Sequence, residues 1–206
     1  MTKDGPESQG SSRLQLWLLL LVFASPIIAA TLFYANSDRW LEQTGTGHHG
    51  QLLNPARPLK SLPVQDGEGN RLGVDYLQGK WTLVYIGRSD CQGPCERDLY
   101  GMRQAHMAQG KNTDRIQRLY IAQDGMPRGK TKDFLAGRHP YLTVAHPVSG
   151  QDLSSFRVPD GKGGTRLGGV YLVDPHANLV LSYGTEPNPK GILEDLETLL
   201  KHSSIG

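Results

Sequence analysis

The amino-acid sequence predicts an α/β fold, a central mixed β-sheet flanked by helices, preceded by one N-terminal transmembrane helix. Three observations lead to this prediction: short apolar runs rich in β-branched and aromatic residues, an amphipathic C-terminal segment, and an uninterrupted apolar stretch near the N-terminus. Hydrophobic residues make up 37% of the 206 positions and charged residues 20%. This composition supports a packed core rather than disorder, so we expect one soluble domain.

The charge pattern excludes one class of partner. The formal net charge is +2, and the Lys and Arg residues alternate with acidic residues instead of clustering. A nucleic-acid-binding protein would present a basic stripe that neutralises phosphates. We therefore expect no nucleic acid partner.

The apolar stretch at residues 14–35 is predicted to cross a membrane once. No charged residue occurs between positions 14 and 37, and about 20 mostly apolar residues suffice to span the hydrocarbon layer. Trp17 and Tyr34 lie near its two ends, where aromatic rings favour the membrane interface. A cleaved signal peptide is the alternative, but this run exceeds the length of a signal's apolar region. The anchor is the favoured interpretation.

The flanking charges suggest an orientation. Lys3 and Arg13 precede the apolar run and Arg39 follows it, which slightly favours a cytoplasmic tail at residues 1–13. The domain would then be periplasmic, attached to the inner membrane. Residues 36–58 are rich in Gly, Asn, Thr and Pro and are predicted to be a linker, in which His48 and His49 are assigned no role. The domain is expected at residues 59–206.

The first half of the domain reads as hairpin, strand, helix and strand. Turn signals at 66–67 and 69–70 indicate a hairpin, and residues 81–87 form an apolar run typical of a central strand. Apolar residues at helical spacing after Cys95 predict a helix to about residue 110, and residues 116–122 predict a second buried strand.

The second half contains a helix, an extended segment, a hairpin and a final helix. Residues 130–137 are predicted to be a short helix and 141–147 a strand, and two strands flank a tight connection at 175–178. Leucine and isoleucine residues between 192 and 200 share one helical face. This order of elements resembles the thioredoxin fold.

The only cysteines, Cys91 and Cys95, are the candidate catalytic residues. They follow the predicted central strand, and Pro94 suits the first position of the next helix. Free N–H groups at a helix start stabilise a thiolate, and Arg88 and Arg97 are expected to add positive charge. The spacing also allows a reversible disulfide, since the two Cα atoms can approach to about 6 Å.

Other uses of the two sulfurs remain open from the residues alone. Two thiolates form a soft site of low coordination, so Cys91 and Cys95 are also candidate ligands of Cu(I). Structural zinc is disfavoured, because no second cysteine pair or histidine pair completes four ligands. The cysteines could also be unrelated structural thiols, which their spacing disfavours.

The segments GKWTLVYIGRSDCQGPC, IQRLYIAQDG, HPYLTVAHPVSG and YLVDPHANLVLSYG, together with the apolar N-terminus, resemble the Sco (SenC) family. These are membrane-anchored, thioredoxin-fold proteins that help to assemble the copper site of cytochrome c oxidase. The resemblance covers most of the chain from residue 59 onward. It implies copper as a cofactor and an oxidase subunit as a partner.

The sequence departs from that family at its copper ligands. The family's motif reads C-P-x-x-C-P, whereas Gln92 follows Cys91 here and Glu96 follows Cys95. The family's ligand histidine corresponds to Arg166, which cannot bind copper. His106 is expected to lie too far along the helix to replace it. His139, His146 and His176 are expected in loops, and of these three His146 is the best candidate to replace the ligand histidine.

A second departure concerns the thiol oxidoreductases of this fold. These resemble one another in a cis-proline that faces the dithiol, and Gly168-Gly169 occupies that place here. The two glycines could permit close approach by a partner or form a turn with positive φ. The turn is favoured.

These observations lead to three hypotheses. The first is thiol-disulfide exchange with a cysteine-bearing partner during cytochrome c oxidase biogenesis, and an oxidase subunit is the candidate partner. In this hypothesis Cys91 is favoured over Cys95 as the attacking thiol. The second is Cu(I) carriage by the two thiolates with a ligand from elsewhere. The third is a non-catalytic scaffold in which the cysteines are dispensable.

Overall fold

A computed structural model of the chain describes residues 9–35, 48–203 and 205. Within the first of these ranges, side chains are described at positions 15, 17–28 and 31. The chain divides into two compact units, Met1–Thr46 and Gly47–Gly206.

The first unit contains helix α1, Gln9–Ala35. Pro26 lies inside it, and the Ser25 hydroxyl donates a hydrogen bond to the carbonyl oxygen of Val22. Judged on the described residues alone, no helix is long and apolar enough to cross a membrane. The predicted anchor includes positions whose side chains lie outside the described residues, and it stays a prediction, as do the predicted tail and the first part of the linker.

The second unit is built on an eight-stranded mixed sheet. Its strands are β1 Gln51–Pro58, β2 Val64–Asp66, β3 Arg71–Leu72, β4 Trp81–Gly87, β5 Ile116–Ala122, β6 Leu142–Pro147, β9 Gly169–Val173 and β10 Asn178–Gly184. Their order across the sheet is β1-β10-β9-β4-β5-β6-β2-β3. Strands β7 Val158–Pro159 and β8 Thr165–Arg166 form a separate two-stranded sheet.

Strand β4 lies at the centre because nearly every one of its residues is apolar. It pairs with β5 in parallel and with β9 in antiparallel orientation. Alternate side chains point to opposite faces of a strand. Leu83 and Tyr85 therefore join the core on one face, while Val84 and Ile86 join the core on the other.

The described residues of this unit form three α-helices: α2 Pro94–Met107, α3 Gly129–Arg138 and α4 Pro189–His202. Helices α2 and α4 supply Leu99, Met102, Ile192 and Leu196 to the same core as Tyr85. Helix α4 begins with a side-chain cap, since Asn188 accepts a hydrogen bond from the backbone N–H of Lys190 at 3.0 Å. The C-terminal amphipathic helix is thus observed as predicted.

The β9–β10 connection is the tight turn that the sequence predicts. The Asp174 carboxylate accepts hydrogen bonds from the backbone N–H groups of His176 and Asn178 at 2.9 and 2.8 Å. Ala177 adopts a φ of 62°, which a non-glycine residue tolerates at some cost. The side chain of Asp174 compensates by fixing the turn.

The folded unit begins earlier than the sequence predicts. Residues 51–58, assigned to the linker, form the edge strand β1 and pair with β10. The preceding backbone is also fixed, because the N–H groups of His49 and Gly50 donate to the Asp195 carboxylate on α4 at 2.9 and 3.0 Å. Pro55 and Pro58 favoured the prediction of an irregular linker. An edge strand tolerates proline, because the backbone N–H groups on its unpaired side make no hydrogen bonds within the sheet.

Candidate functional site

Cys91 and Cys95 lie at the carboxyl end of β4, where the chain turns into α2. Gly93 precedes the helix with a φ of 55°, and Pro94 occupies the first helical turn. The left-handed conformation at Gly93 is one that glycine adopts without steric cost. The sequence Gln-Gly-Pro between the cysteines therefore turns the chain sharply and starts the helix at once.

The two cysteines form a disulfide, with their Cα atoms 5.1 Å apart. This is the pairing that the spacing of the two cysteines allows, and the Cα–Cα distance lies within the usual range for a disulfide. Both residues are buried: Cys91 is 3% exposed and Cys95 is 7% exposed. The exposed fractions differ little, and Cys95 is slightly the more exposed of the two. Which thiol attacks stays a prediction.

Two tyrosines pack beside the disulfide in the same core. The ring centroids of Tyr85 and Tyr120 are 5.4 Å apart, and the planes are tilted by 50°. The Tyr120 hydroxyl donates a hydrogen bond to the carbonyl oxygen of Arg88. This bond ties the loop that carries Cys91 to strand β5, so the loop position is set by the sheet beneath it.

A buried carboxylate, Asp98, lies one helical turn after Cys95. It is 2% exposed, and residues three apart on a helix share a face. Its Oδ1 atom accepts a hydrogen bond from the backbone N–H of Glu186 at 2.9 Å, while its buried Oδ2 atom has no hydrogen-bond partner among the described residues. Burial raises the pKa of Asp98 to about 6. The neighbouring Glu186 charge also raises it, against the hydrogen bond from the Glu186 N–H and the Arg97 charge.

Sequence reasoning missed Asp98. The signal was its spacing: three residues from Cys95 and four from Met102, a pattern that places a carboxylate on the buried face of an otherwise amphipathic helix.

We expect Asp98 to make the stability of the domain fall as the pH rises from about 4 to 7. The folded state holds the proton up to about pH 6, whereas the unfolded chain releases it near 3.8. Above both values the charged, buried carboxylate costs of the order of 2–3 kcal/mol. Asp98→Asn removes this ionisation and keeps the acceptor oxygen. The difference between the free energy of unfolding of Asp98→Asn and that of the natural chain should therefore increase by that amount from pH 4 to pH 7, in favour of the variant.

Chemical denaturation at several pH values, with the disulfide intact, measures this difference. Asp133→Asn is the matched control, because Asp133 is exposed and lies on α3. Its difference from the natural chain should not vary with pH. If the free energies of unfolding of Asp98→Asn and of the natural chain change in parallel with pH, the pKa of Asp98 is not raised by folding.

The arginines expected to attract a thiolate are already paired with carboxylates. Arg88 Nε lies 3.3 Å from an Asp90 oxygen, and its Nη2 lies 3.6 Å from an Asp124 oxygen. Arg97 Nε donates to Glu186 at 3.0 Å. All these groups are exposed, so their charges largely cancel close to the disulfide. The start of α2 remains the main source of positive potential there.

Gly168 and Gly169 lie at the same sheet edge as the disulfide, since Gly169 pairs with Ile86 near the end of β4. Their φ values are 129° and 89°, as expected for a turn that requires glycine. A Cβ atom at Gly169 would overlap the carbonyl oxygen of Gly184 on β10. These glycines therefore permit close packing of the protein's own strands.

Arg166 is held at this edge by β10. Its Nη2 atom donates to the Ser182 hydroxyl at 2.8 Å, and its buried Nη1 atom has no hydrogen-bond partner among the described residues. A Cβ atom at Gly184 would lie 3.4 Å from Nη1. The position that the resemblance assigns to a ligand histidine thus carries a half-buried guanidinium.

Three of the histidines considered as replacement ligands, His106, His146 and His176, lie on other elements than the loop that carries the cysteines. His106 accepts a hydrogen bond from Arg118 Nε at 3.1 Å, and its other ring nitrogen lies 2.9 Å from the Thr113 carbonyl oxygen. His146 lies on β6 with its Nε2 atom 3.2 Å from Gln65 Nε2, at the pairing with β2. His176 lies in the β9–β10 turn, at the opposite end of β9 from Gly169.

The residues present do not fit a copper site. No group of three or more His, Cys, Asp or Glu side chains in the described part of the chain could hold a metal ion. Cu(I) favours thiolate and imidazole donors, but the two sulfurs are bonded to each other and Arg166 brings a positive charge. Cys91 and Cys95, considered above as copper ligands, therefore have no third donor among the described residues.

Several solved structures share this fold. ScoI of Bradyrhizobium japonicum, solved with copper bound, is 22% identical, with a TM-score of 0.52 over 68% of this chain and 99% of that one. Apo Sco1 of Thermus thermophilus is 18% identical, with a TM-score of 0.58 over 74% and 96%. BsSco, described as a Sco-family member with a disulfide switch, is 16% identical, with a TM-score of 0.53 over 75% and 98%.

Fold and site together define a thioredoxin-fold protein with a Sco-like architecture and a CxxxC disulfide at the start of a helix. Residues 81–203 match the family described as "Transmembrane-like, thioredoxin-like, C-terminal domain". Since this match covers more than half of the chain, the protein belongs to that family. No curated protein matches the sequence at a significant level.

Proposed function

We propose that this protein exchanges its Cys91–Cys95 disulfide with the cysteines of a partner protein during cytochrome c oxidase biogenesis. The observation that carries the proposal is the disulfide itself, formed between the chain's two cysteines at the start of a helix. BsSco, with the same fold, is described as having a disulfide switch and as a member of a family of cytochrome c oxidase assembly proteins. A disulfide switch in a protein of the same fold supports a reversible Cys91–Cys95 disulfide here.

The exchange proceeds in two balanced steps. A partner thiolate attacks one sulfur of the disulfide, which forms a mixed disulfide and releases the other cysteine as a thiolate. A second partner thiolate then attacks the mixed disulfide, which releases this chain as a dithiol and leaves the partner oxidised. Two electrons pass from the partner to this chain, and solvent supplies protons to the released thiolates. The reverse sequence reduces a partner disulfide.

Burial of the two sulfurs limits which molecules react. Because Cys91 and Cys95 are 3% and 7% exposed, a thiol in solution meets little of the disulfide surface. A partner must dock against the start of α2 and shift the loop before Gly93 to bring its thiolate in line. Exchange should therefore be selective for a docked protein over a small thiol.

A redox titration tests the proposal. The protein is equilibrated in glutathione buffers of graded potential, and its free thiols are counted by alkylation and mass. We expect one two-electron transition between roughly −120 and −270 mV, the range of known dithiol proteins. The Cys91→Ser, Cys95→Ser double variant should show no transition.

The titration also separates the rival functions. A pair that stays reduced throughout and holds one Cu(I) against a chelator would favour copper carriage. A pair with neither behaviour, whose double serine variant still supports oxidase assembly, would favour a scaffold role.

The proposal includes a location: an inner-membrane protein with its domain on the periplasmic side. Residues 14–35 support the anchor through their uncharged, apolar sequence. A stable disulfide also suits an oxidising compartment. We expect the protein to remain in the membrane fraction after carbonate washing, and protease added from the periplasmic side to digest the domain. Release of an intact domain beginning near residue 37 would indicate a cleaved signal peptide, and protection from protease would reverse the orientation.

A further inference from the structure

A cleft between α2 and α3 begins at Glu96, the residue after Cys95. Its volume is about 270 Å³. Besides Glu96, the cleft is lined by arginine, aromatic and histidine side chains: Arg97, Tyr100, Arg103, Phe134, Arg138 and His139. Between positions 96 and 103 helix α2 advances about 10 Å, so this "arginine cleft" leads away from the disulfide along one side of the helix.

The arginine cleft has an excess of positive charge. Arg97 is paired with Glu186, and Glu96 contributes one carboxylate at the mouth. Arg103 and Arg138 have no carboxylate within 4.0 Å among the described residues. Two guanidinium groups with five donors each thus face a concave surface without an acidic partner.

The floor of the cleft is aromatic. Phe134 and His139 meet edge to face, with their ring centroids 5.3 Å apart. Tyr100 is 57% exposed on the α2 side. Tyrosine and arginine are enriched where proteins bind other proteins, because they combine apolar area with hydrogen-bonding groups. Such a floor suits a peptide that contains an apolar or aromatic side chain.

Two buried side chains, each with a nitrogen atom that lacks a hydrogen-bond partner among the described residues, lie at the floor of the cleft or close to it. His139 is 4% exposed and its Nδ1 atom has no hydrogen-bond partner; Arg118 on β5 is 3% exposed and its Nη1 atom has none, both among the described residues. Burial first, and then the charges of Arg118 and Arg103, lower the pKa of His139 to about 4. A region where cations disfavour one another gains stability when a carboxylate approaches.

We propose that the arginine cleft binds an acidic segment of the partner protein, with carboxylates on Arg103 and Arg138 and an apolar or aromatic side chain against Tyr100 and Phe134. The proposal rests on the proposed function, because it identifies the partner of the exchange by its chemistry. An acidic segment in the cleft would bring the adjoining chain to the start of α2, beside Cys95.

A larger cavity of about 680 Å³, on residues from Met126 to Val144 with Gly67, does not compete for this role. Its lining includes Arg128 and Lys132 but no residue of α2 or of the loop that carries the cysteines. A segment bound there would not be placed beside the disulfide.

Binding of a short fluorescein-labelled peptide of Glu, Gly and one Tyr to the oxidised full chain in detergent tests the inference. Its counterpart with Lys in place of each Glu is the reference peptide. We expect the acidic peptide to bind at least roughly tenfold more tightly, and Arg103→Glu with Arg138→Glu to weaken it by a similar factor. Lys111→Glu with Lys201→Glu is the matched control, since it makes the same charge change at exposed lysines outside the cleft.

Three results would overturn the inference: equal binding of both peptides, equal loss in both double variants, or displacement of the peptide by acetate at the same carboxylate concentration. The last result would identify a site for small anions only.

Arg138→Glu alone, at an exposed helix end, gives the same comparison if the double variant does not fold. Binding is repeated with Cys91→Ser, Cys95→Ser, because docking should survive in that variant. The peptide measurement therefore tests the cleft even if the redox titration shows no transition. The redox titration likewise tests the disulfide even if the peptide does not bind.

Discussion

Gly169→Ala is expected to lower the free energy of unfolding by more than about 3 kcal/mol, enough to unfold many domains of this size. Gly169 has a φ of 89°, where an L-residue with a side chain is strained. Its added Cβ atom would also overlap the carbonyl oxygen of Gly184, which is backbone and cannot rotate away. Strands β9 and β10 must then separate at the edge that supports the disulfide loop.

Gly163→Ala isolates the effect of the overlap. Gly163 has almost the same φ, 88°, but a Cβ atom there meets nothing within 4 Å. Its cost should be limited to the left-handed penalty of about 1–2 kcal/mol. Chemical denaturation of both variants measures the two costs. If Gly169→Ala costs no more than Gly163→Ala, the close approach of β9 and β10 does not require glycine.

Arg166→His is expected to raise the Cu(I) affinity of the reduced protein by at least about tenfold, since an imidazole replaces a cation at the position where the Sco resemblance places a ligand histidine. Arg166 lies near Gly184 at the sheet edge that also carries the disulfide. The substitution removes the hydrogen bond to Ser182, which is a modest loss. Competition with a chromogenic Cu(I) chelator measures the affinity.

Arg71→His is the matched control for copper binding. It makes the same replacement on β3, at the other end of the strand order from β10. It should leave the Cu(I) affinity unchanged. An Arg166→His protein that folds and binds copper no better than the natural chain would mean that residue 166 does not point toward the sulfurs. The arginine at position 166 would then not be the reason why a third copper ligand is missing.

Local sequence patterns predicted most of the fold correctly. The strand at 116–122 has the predicted bounds, and the helices at 94–107 and 129–138 differ by a few residues from the predicted ones. These elements carry their own signals: an apolar run for a buried strand, Pro94 at a helix start, and leucines at helical spacing in α4. The edge strand β1 has no such signal, because its residues become a strand only by pairing with β10.

Local sequence is enough to establish the order of elements, the disulfide-forming spacing of Cys91 and Cys95, and the arginine at position 166, where the Sco resemblance places a histidine. Each of these depends on neighbours along the chain or on a single position. Only the folded chain determines how deeply the sulfurs lie, that Arg88 and Arg97 are paired, and that the buried Oδ2 atom of Asp98 has no hydrogen-bond partner in the described ranges. It also decided that Arg103 and Arg138 face one cleft. These properties arise from groups distant in sequence, and burial and Coulomb interactions depend on the distances that only the folded chain sets.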